Sequence, residues 1–325
     1  MGVINVNKEY FASDKRITKF YHYTSPEALV NIISNSSIRL THCAFLNDIE
    51  EYMYIDEILK EIIEENADKD VTAFIKGMFD RINRDYSNVV LKPKAGKWYS
   101  PASADYYVLS GSNEQDSLSL WSYYVRNNDY CGYAIRFDVI GLCKIIEPLL
   151  PKKGECLVGK VVYDSTDQKQ IIIDYTKKIL DDFEIQMKNT DREDSVIDDL
   201  QEHFFDFIQR TRLFFKRKGF ENEQEVRLVV LTDIDKDKNE IEKGKKRFSD
   251  GYSITKGIIK PYIEYTFPKE CLPIKEIVLS PTIEKTIGEK GIGILMKNCN
   301  YEIYSTGNKR DGAVLITQSK LKLRY

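Results

Sequence analysis

An α+β fold with a strand-rich core is what this chain predicts, and three observations carry that expectation. About ten short stretches are rich in β-branched and aromatic residues, as half-buried strands are. Helical patterns come in blocks rather than in strict alternation with the strands. Two long helical patterns over 165–218 interrupt the strand rhythm.

In order, TKFYHYT (18–24) reads as a strand. Ser25-Pro26 then opens the helix PEALVNIISN, the serine as N-cap and the proline in the first turn. SIRLTHC (37–43) is a second strand, after which Asp48 caps a helix carrying Tyr52, Ile55, Leu59 and Ile62 on one face. A further helix spans roughly 70–84, and LKPKAGKWYSPAS (91–103) is a loop. DYYVLSGS (105–112) is a strand, DSLSLWSYY (116–124) a helix, and CGYAIRFDV (131–139) and CLVGKVVYD (156–164) are strands. Within 165–218 one helix runs through Ile172, Tyr175 and Ile179. A second opens on a capping box from Thr190 to Glu193 and continues through Val196, Phe204 and Ile208. EVRLVVLTD (225–233), PYIEYTF (261–267), IKEIVLS (274–280), YEIYST (301–306) and KLKLR (320–324) complete the strands, with a charged hairpin tip over 235–247. The expectation is one domain over 1–325 with 165–218 as a helical insertion.

Composition narrows the function classes. The apolar fraction of 42% and charged fraction of 30% suit a soluble globular chain, and no segment approaches the ~20 apolar residues of a membrane span. A net charge of −3 argues against non-specific coating of nucleic acid but leaves room for a basic patch. MGVINVNKEY lacks the apolar core of a secretory signal, so a cytoplasmic location is expected. Six scattered cysteines without a C-x-x-C pair and three histidines without ligand spacing predict free thiols and no metal site.

FENEQEVRLVV (220–230) runs three glutamates into an apolar strand. Residues two apart on a strand share a face, which would align Glu221, Glu223 and Glu225. Taken alone, these are either a solvated strand end offset by Lys216, Arg217, Lys218 and Arg227, or a catalytic set. His22, between two tyrosines, reads alone as a core histidine bonded to a carbonyl. Ser112 reads as a turn residue and Trp121 as core.

The ordered set YHYTS, SIRLTHCAFLNDIEE, SGSNEQDSLSLWSYY…GYAIRFD, FENEQEVRLV, IKEIVLSP and the closing S-x-L-x-L-R at Ser319–Arg324 resembles the bacterial and phage family of domain of unknown function 2971. Phe220, Gly111 and Ile49 depart from its usual residues. That family in turn resembles the ADP-ribosyltransferase superfamily, which implies a split β-sandwich core gripping NAD. The resemblance implies His22 on the adenosine ribose, Ser112 on the nicotinamide side and Glu225 at the nicotinamide ribose. Glu223 completes an E-x-E facing the acceptor. Tyr23, Thr24 and Trp121 join the NAD-binding set by the same resemblance.

The implied activity is NAD-dependent mono-ADP-ribosyl transfer to a macromolecule, in a toxin or anti-phage defence effector with a possible antitoxin or regulator. Nucleic acid is favoured slightly over protein as acceptor. Arg217 and Lys218, in the basic, aromatic stretch RTRLFFKRKGF, are its expected contacts, although this stretch is equally the basic end of an amphipathic helix. An NAD glycohydrolase with the same pocket and a non-catalytic binding module are the alternatives.

Overall fold

The structure, a computed structural model, describes residues 17–46, 49–89, 105–124, 131–150, 154–188, 193–232, 248–255, 257–268, 272–305 and 312–322. Asn47-Asp48, the loop expected over 91–103, the charged run over 235–247 and most of the expected capping box lie outside the described residues. The chain is mixed α/β and falls into two compact units. One draws its described residues from 47–104 and 161–220, the other from 11–46, 105–160 and 221–325.

The first unit is helical. Its helices are α2 (Ile49–Glu65), α3 (Lys69–Val89), α6 (Ser165–Met187) and α7 (Glu193–Thr211). The helices expected as an insertion over 165–218 therefore fold together with those of 49–89. Asp164 caps α6 by accepting from the Thr166 and Asp167 amides. Aromatic pairs hold the helices, with Tyr175 stacked on Phe207 at 3.7 Å and Phe74 edge-on to Phe204 at 5.2 Å. The buried Gln168 amide accepts from Tyr54 and donates to the carbonyls of Val162 and Lys216, which leaves no polar cost at its site.

The second unit carries the sheet. Its strands are β1 (Tyr21–Thr24), β2 (Ser37–His42), β3 (Asp105–Ser112), β4 (Tyr133–Phe137), β5 (Glu155–Lys160), β6 (Glu225–Thr232), β7 (Phe248–Thr255), β8 (Ile258–Thr266), β9 (Ile274–Leu279), β10 (Ile303–Tyr304) and β11 (Val314–Gln318). They form one mixed sheet in the order β10-β11-β9-β4-β1-β3-β2-β8-β7, with β6 on the far edge of β3 and β5 outside β6. Among the described strands, only β10-β11 and β11-β9 pair in parallel. The strand expected over 301–306 shrinks to two residues, and 320–322 are not strand.

Helices α1 (Pro26–Asn35), α5 (Val139–Ile146) and α8 (Lys285–Asn298) pack Leu29, Ile33, Leu142, Ile146, Ile292 and Met296 onto one face of this sheet, against Leu109, Ile135, Val226 and Leu228. Ser25 caps α1 through the Ala28 amide and Pro26 fills its first turn, as the sequence predicts. The opposite face receives α4 (Leu118–Tyr124), whose Leu120 and Trp121 pack on Tyr21, Tyr23, Ala134 and Val278.

The branch at β3 positions everything that follows. One edge of β3 pairs fully with β6, while its other edge is shared: Tyr107 and Val108 pair with β2, and Ser112 alone pairs with β1 at Tyr21. β1 and β2 thus fork away from each other along β3. At the branch, the Phe20 ring lies so close that a Cβ on Gly111 would meet it at 2.8 Å. Phe20 is fully buried and has nowhere to go. Gly111→Ala should therefore cost about 1–3 kcal/mol by overpacking; urea unfolding at unchanged m-value checks this, and a neutral substitution would show the branch to be looser than described.

Candidate functional site

Directly opposed residues of antiparallel neighbours point to the same face. Glu276 opposes Arg136, Arg136 opposes Tyr21, Tyr21 opposes Ser112, and Ser112 opposes Glu225. One transverse row of polar side chains therefore crosses β9, β4, β1, β3 and β6 on the face that α4 partly covers. The expected Ser112 and Glu225 sit side by side in this row.

Glu225 is 5% exposed and is gripped by Arg227, itself 2% exposed. The guanidinium Nε donates to Oε1 at 2.8 Å and Nη2 to Oε2 at 2.9 Å, a two-pronged pair within one strand face. Glu223 does not continue that face, contrary to the period-two expectation. Residues 218–223 form a 3₁₀ turn, and Gln224 takes a left-handed backbone at φ 43°, so the strand begins only at Glu225. Glu221 is exposed in that turn. The Glu223 carboxylate accepts from Tyr124 at 3.2 Å. The Ser112 hydroxyl donates to the Glu223 carbonyl at 2.6 Å and accepts from the Glu114 amide at 3.0 Å, which ties the end of β3 to the entry of β6.

His22 points the other way. It neighbours Tyr21 on the same strand and opposes Ile135 of the buried core, so it lies on the α1 face, across the sheet from Ser112 and Glu225. Its Nδ1 is 2.9 Å from the Ser110 carbonyl. A carbonyl only accepts, so Nδ1 carries the proton and Nε2 of the neutral ring is the acceptor. Burial holds the imidazole pKa below its usual value, with the Ser110 hydrogen bond opposing it. His22 and Thr24 line a cleft of about 150 Å³ at the fork, with Asn31, Ser37, Arg39 and Glu264 as its other polar lining. Glu264 accepts from Ser37 at 2.6 Å and from Arg39 at 3.2 Å.

The other expected NAD contacts separate accordingly. Tyr23 lies on the Glu225 face, its hydroxyl donating to the Glu114 carbonyl at 2.9 Å and accepting from the Ser117 amide at 3.1 Å. Trp121 is fully buried, edge-on to Tyr23 at 4.6 Å, with its indole N–H on Asp116. Its ring is packed rather than offered as a stacking surface. Arg217 and Lys218 belong to the helical unit, where their charges are matched. Arg217 makes a two-pronged pair with Glu57 and lies over the Tyr54 ring, and Lys218 reaches Asp164 at 3.3 Å.

The row also contains groups the sequence reading did not single out. Glu276, 3% exposed, accepts from Tyr21 at 3.0 Å, Gln115 at 2.8 Å and Thr317 at 2.9 Å, with Arg136 at 3.5 Å. Burial, followed by the Glu276 charge, raises the Tyr21 phenol to about 12. A signal for Arg136 exists in the sequence, since it is the one charge of the strand YAIRF and must find a partner when buried, whereas Glu276 shares its strand with Lys275.

Residues 120–228, about a third of the chain, match the family model described as "Protein of unknown function (DUF2971)", the family that the ordered motifs resemble. The match spans α4 through the first residues of β6 and includes Glu223, Glu225 and Arg227. No curated protein and no solved structure matches the chain. Among the described residues, no helix is long and apolar enough to cross a membrane.

Two measurements test this geometry. Glu225→Gln leaves a buried guanidinium short of its counter-charge and should destabilise by on the order of 3 kcal/mol, while the double replacement Glu225→Met with Arg227→Met should recover most of that loss; urea midpoints decide, and additive losses would show the pair to be uncoupled. For His22, the lowered folded pKa means that the unfolded chain binds the extra proton first as pH falls. Stability should drop below about pH 6.5, with a slope that His22→Asn, which keeps a donor for the Ser110 carbonyl, removes. An unchanged slope between about pH 5 and 6.5 in that variant would assign the pH dependence to other groups.

Proposed function

We propose that this chain, with its family segment over 120–228, is an NAD-dependent ADP-ribosyltransferase acting on a macromolecular acceptor. The observation that carries the reading is that His22, Ser112 and Glu225 stand on three adjacent strands, Ser112 and Glu225 side by side on one face and His22 on the other face at the fork. The resemblance calls for three groups on three strands, and β1, β3 and β6 are successive neighbours.

The division of the groups between two faces suits a two-headed substrate. The His22 cleft, at about 150 Å³, is below the ~300 Å³ usual for a whole small-molecule site and has room for one ring system. Its neutral Nε2, with Asn31 and Ser37, offers hydrogen bonds to a nucleoside. The other head belongs by this reading to the Glu225 face. There the bond between ribose and nicotinamide breaks, nicotinamide leaves with the electron pair, and Glu225 stabilises the positive charge left on the sugar. The acceptor's nucleophile forms the new bond to the ribose, and its proton passes to Glu223. Nucleic acid stays slightly ahead of protein as acceptor, on the first triad residue being a histidine. Arg217 and Lys218 have their charges matched within the helical unit and lend this choice no weight.

One observation favours a second reading. The burial of Glu225 and its two-pronged grip by Arg227 are what a structural ion pair would show, as in a binding module that keeps the fold without the chemistry.

Incubation with NAD and labelled cell extract separates these. The wild-type protein should release nicotinamide and pass label to a macromolecule, and Glu225→Gln should lose about a hundredfold or more of turnover at a temperature where circular dichroism shows it folded. Arg227→Lys disturbs the same pair without removing the carboxylate and should keep measurable turnover. Release of nicotinamide without labelling would leave a glycohydrolase, and no release at all would leave the binding module.

A further inference from the structure

We infer that Arg136 forms a phosphate-binding subsite on the polar row, two strands from Ser112. It opposes Tyr21 on one side and Glu276 on the other, which places its side chain on the same face as Ser112 and Glu225. Its guanidinium retains hydrogen-bonding capacity. Among the described residues Nε is buried with no hydrogen-bond partner, Nη1 reaches Glu276 only at 3.5 Å, and the guanidinium also interacts with the Tyr21 phenol.

Glu276 does not need this arginine to satisfy its oxygens, because Tyr21, Gln115 and Thr317 already donate to them at 2.8–3.0 Å. The Glu276 charge instead restrains the guanidinium at the base of the row while about a third of the side chain stays open to solvent. A planar fork with donors in hand, partly desolvated and held from behind by a carboxylate, matches the geometry of a phosphate group.

The spacing sets Arg136 apart from the Glu225 end of the row. From β4 to β6 is three strand intervals, roughly 14 Å. A ligand whose reacting bond lies at Glu225 would therefore meet Arg136 with a group well removed from that bond. That this phosphate belongs to a dinucleotide rests on the transferase reading; that Arg136 takes a phosphate rests on the row alone.

Titration calorimetry at fixed salt, with ADP-ribose, inorganic pyrophosphate and adenosine as probes, tests this on the full chain. Wild-type protein should bind ADP-ribose and pyrophosphate. Arg136→Met should weaken both about tenfold or more, the loss expected for a hydrogen bond between charged groups, and leave adenosine affinity unchanged. Where Arg136→Met melts at the assay temperature, Arg136→Gln is measured in its place against the same outcomes. Unchanged affinity for both phosphate probes in the variant, equal weakening of adenosine, or no binding of either phosphate probe by the wild type would each overturn the subsite. Arg136-dependent binding of pyrophosphate with no binding of ADP-ribose would keep the subsite and remove the transferase reading.

Discussion

The arrangement depends on how little of β1 touches β3. Full pairing of the two strands would have closed the sheet and left no cleft. Instead they meet at one residue pair, Tyr21 with Ser112, beside a glycine on which the Phe20 ring rests. Beyond that pair β1 stays bound to β4 over four residues, while the freed edge of β3 is taken up by β2. His22 repairs part of the lost ladder by reaching the Ser110 carbonyl with its ring instead of its backbone. The fork, the cleft and the polar row all follow from that single point of attachment.

Much of this unit was legible locally. Ser25-Pro26 marks the start of α1, and the strand patterns at 105–112, 225–232 and 274–279 fall where the sequence puts them. The parity of β1 was also readable, because His22 cannot share a face with Tyr21 and Tyr23 on a strand. What the pattern could not supply was register. Which of the two faces holds Ser112 and Glu225 is set by pairings between residues 91 and 113 positions apart, and no local signal records them. The E-x-E alignment failed for a different reason. Glutamine is an unusual occupant of the left-handed region, so nothing in FENEQE announces that the chain turns before Glu225. In the basic stretch at 210–220, acids of α2 and the α6 cap match the charges of Lys216, Arg217 and Lys218.

The buried charges follow one rule. Glu225 has Arg227, and Glu276 has three neutral donors with Arg136 behind them, so each buried carboxylate is met by hydrogen-bond donors inside the fold. The two solutions differ in what they leave over. The Glu225 pair is compact, a two-pronged contact within one strand face. The Glu276 cluster is satisfied chiefly by neutral groups, which leaves a cation beside it only loosely engaged.

Because β3 is bordered by β1, β2 and β6, it is the strand of this unit with the most backbone partners holding it in place. The far ends of the sheet, the β7-β8 hairpin and the two-residue β10, can open and close without disturbing it. Amide protons near Ser112 then exchange with solvent only when the whole unit lets go. Thermal loss of the site is accordingly expected to be all-or-none rather than a gradual softening.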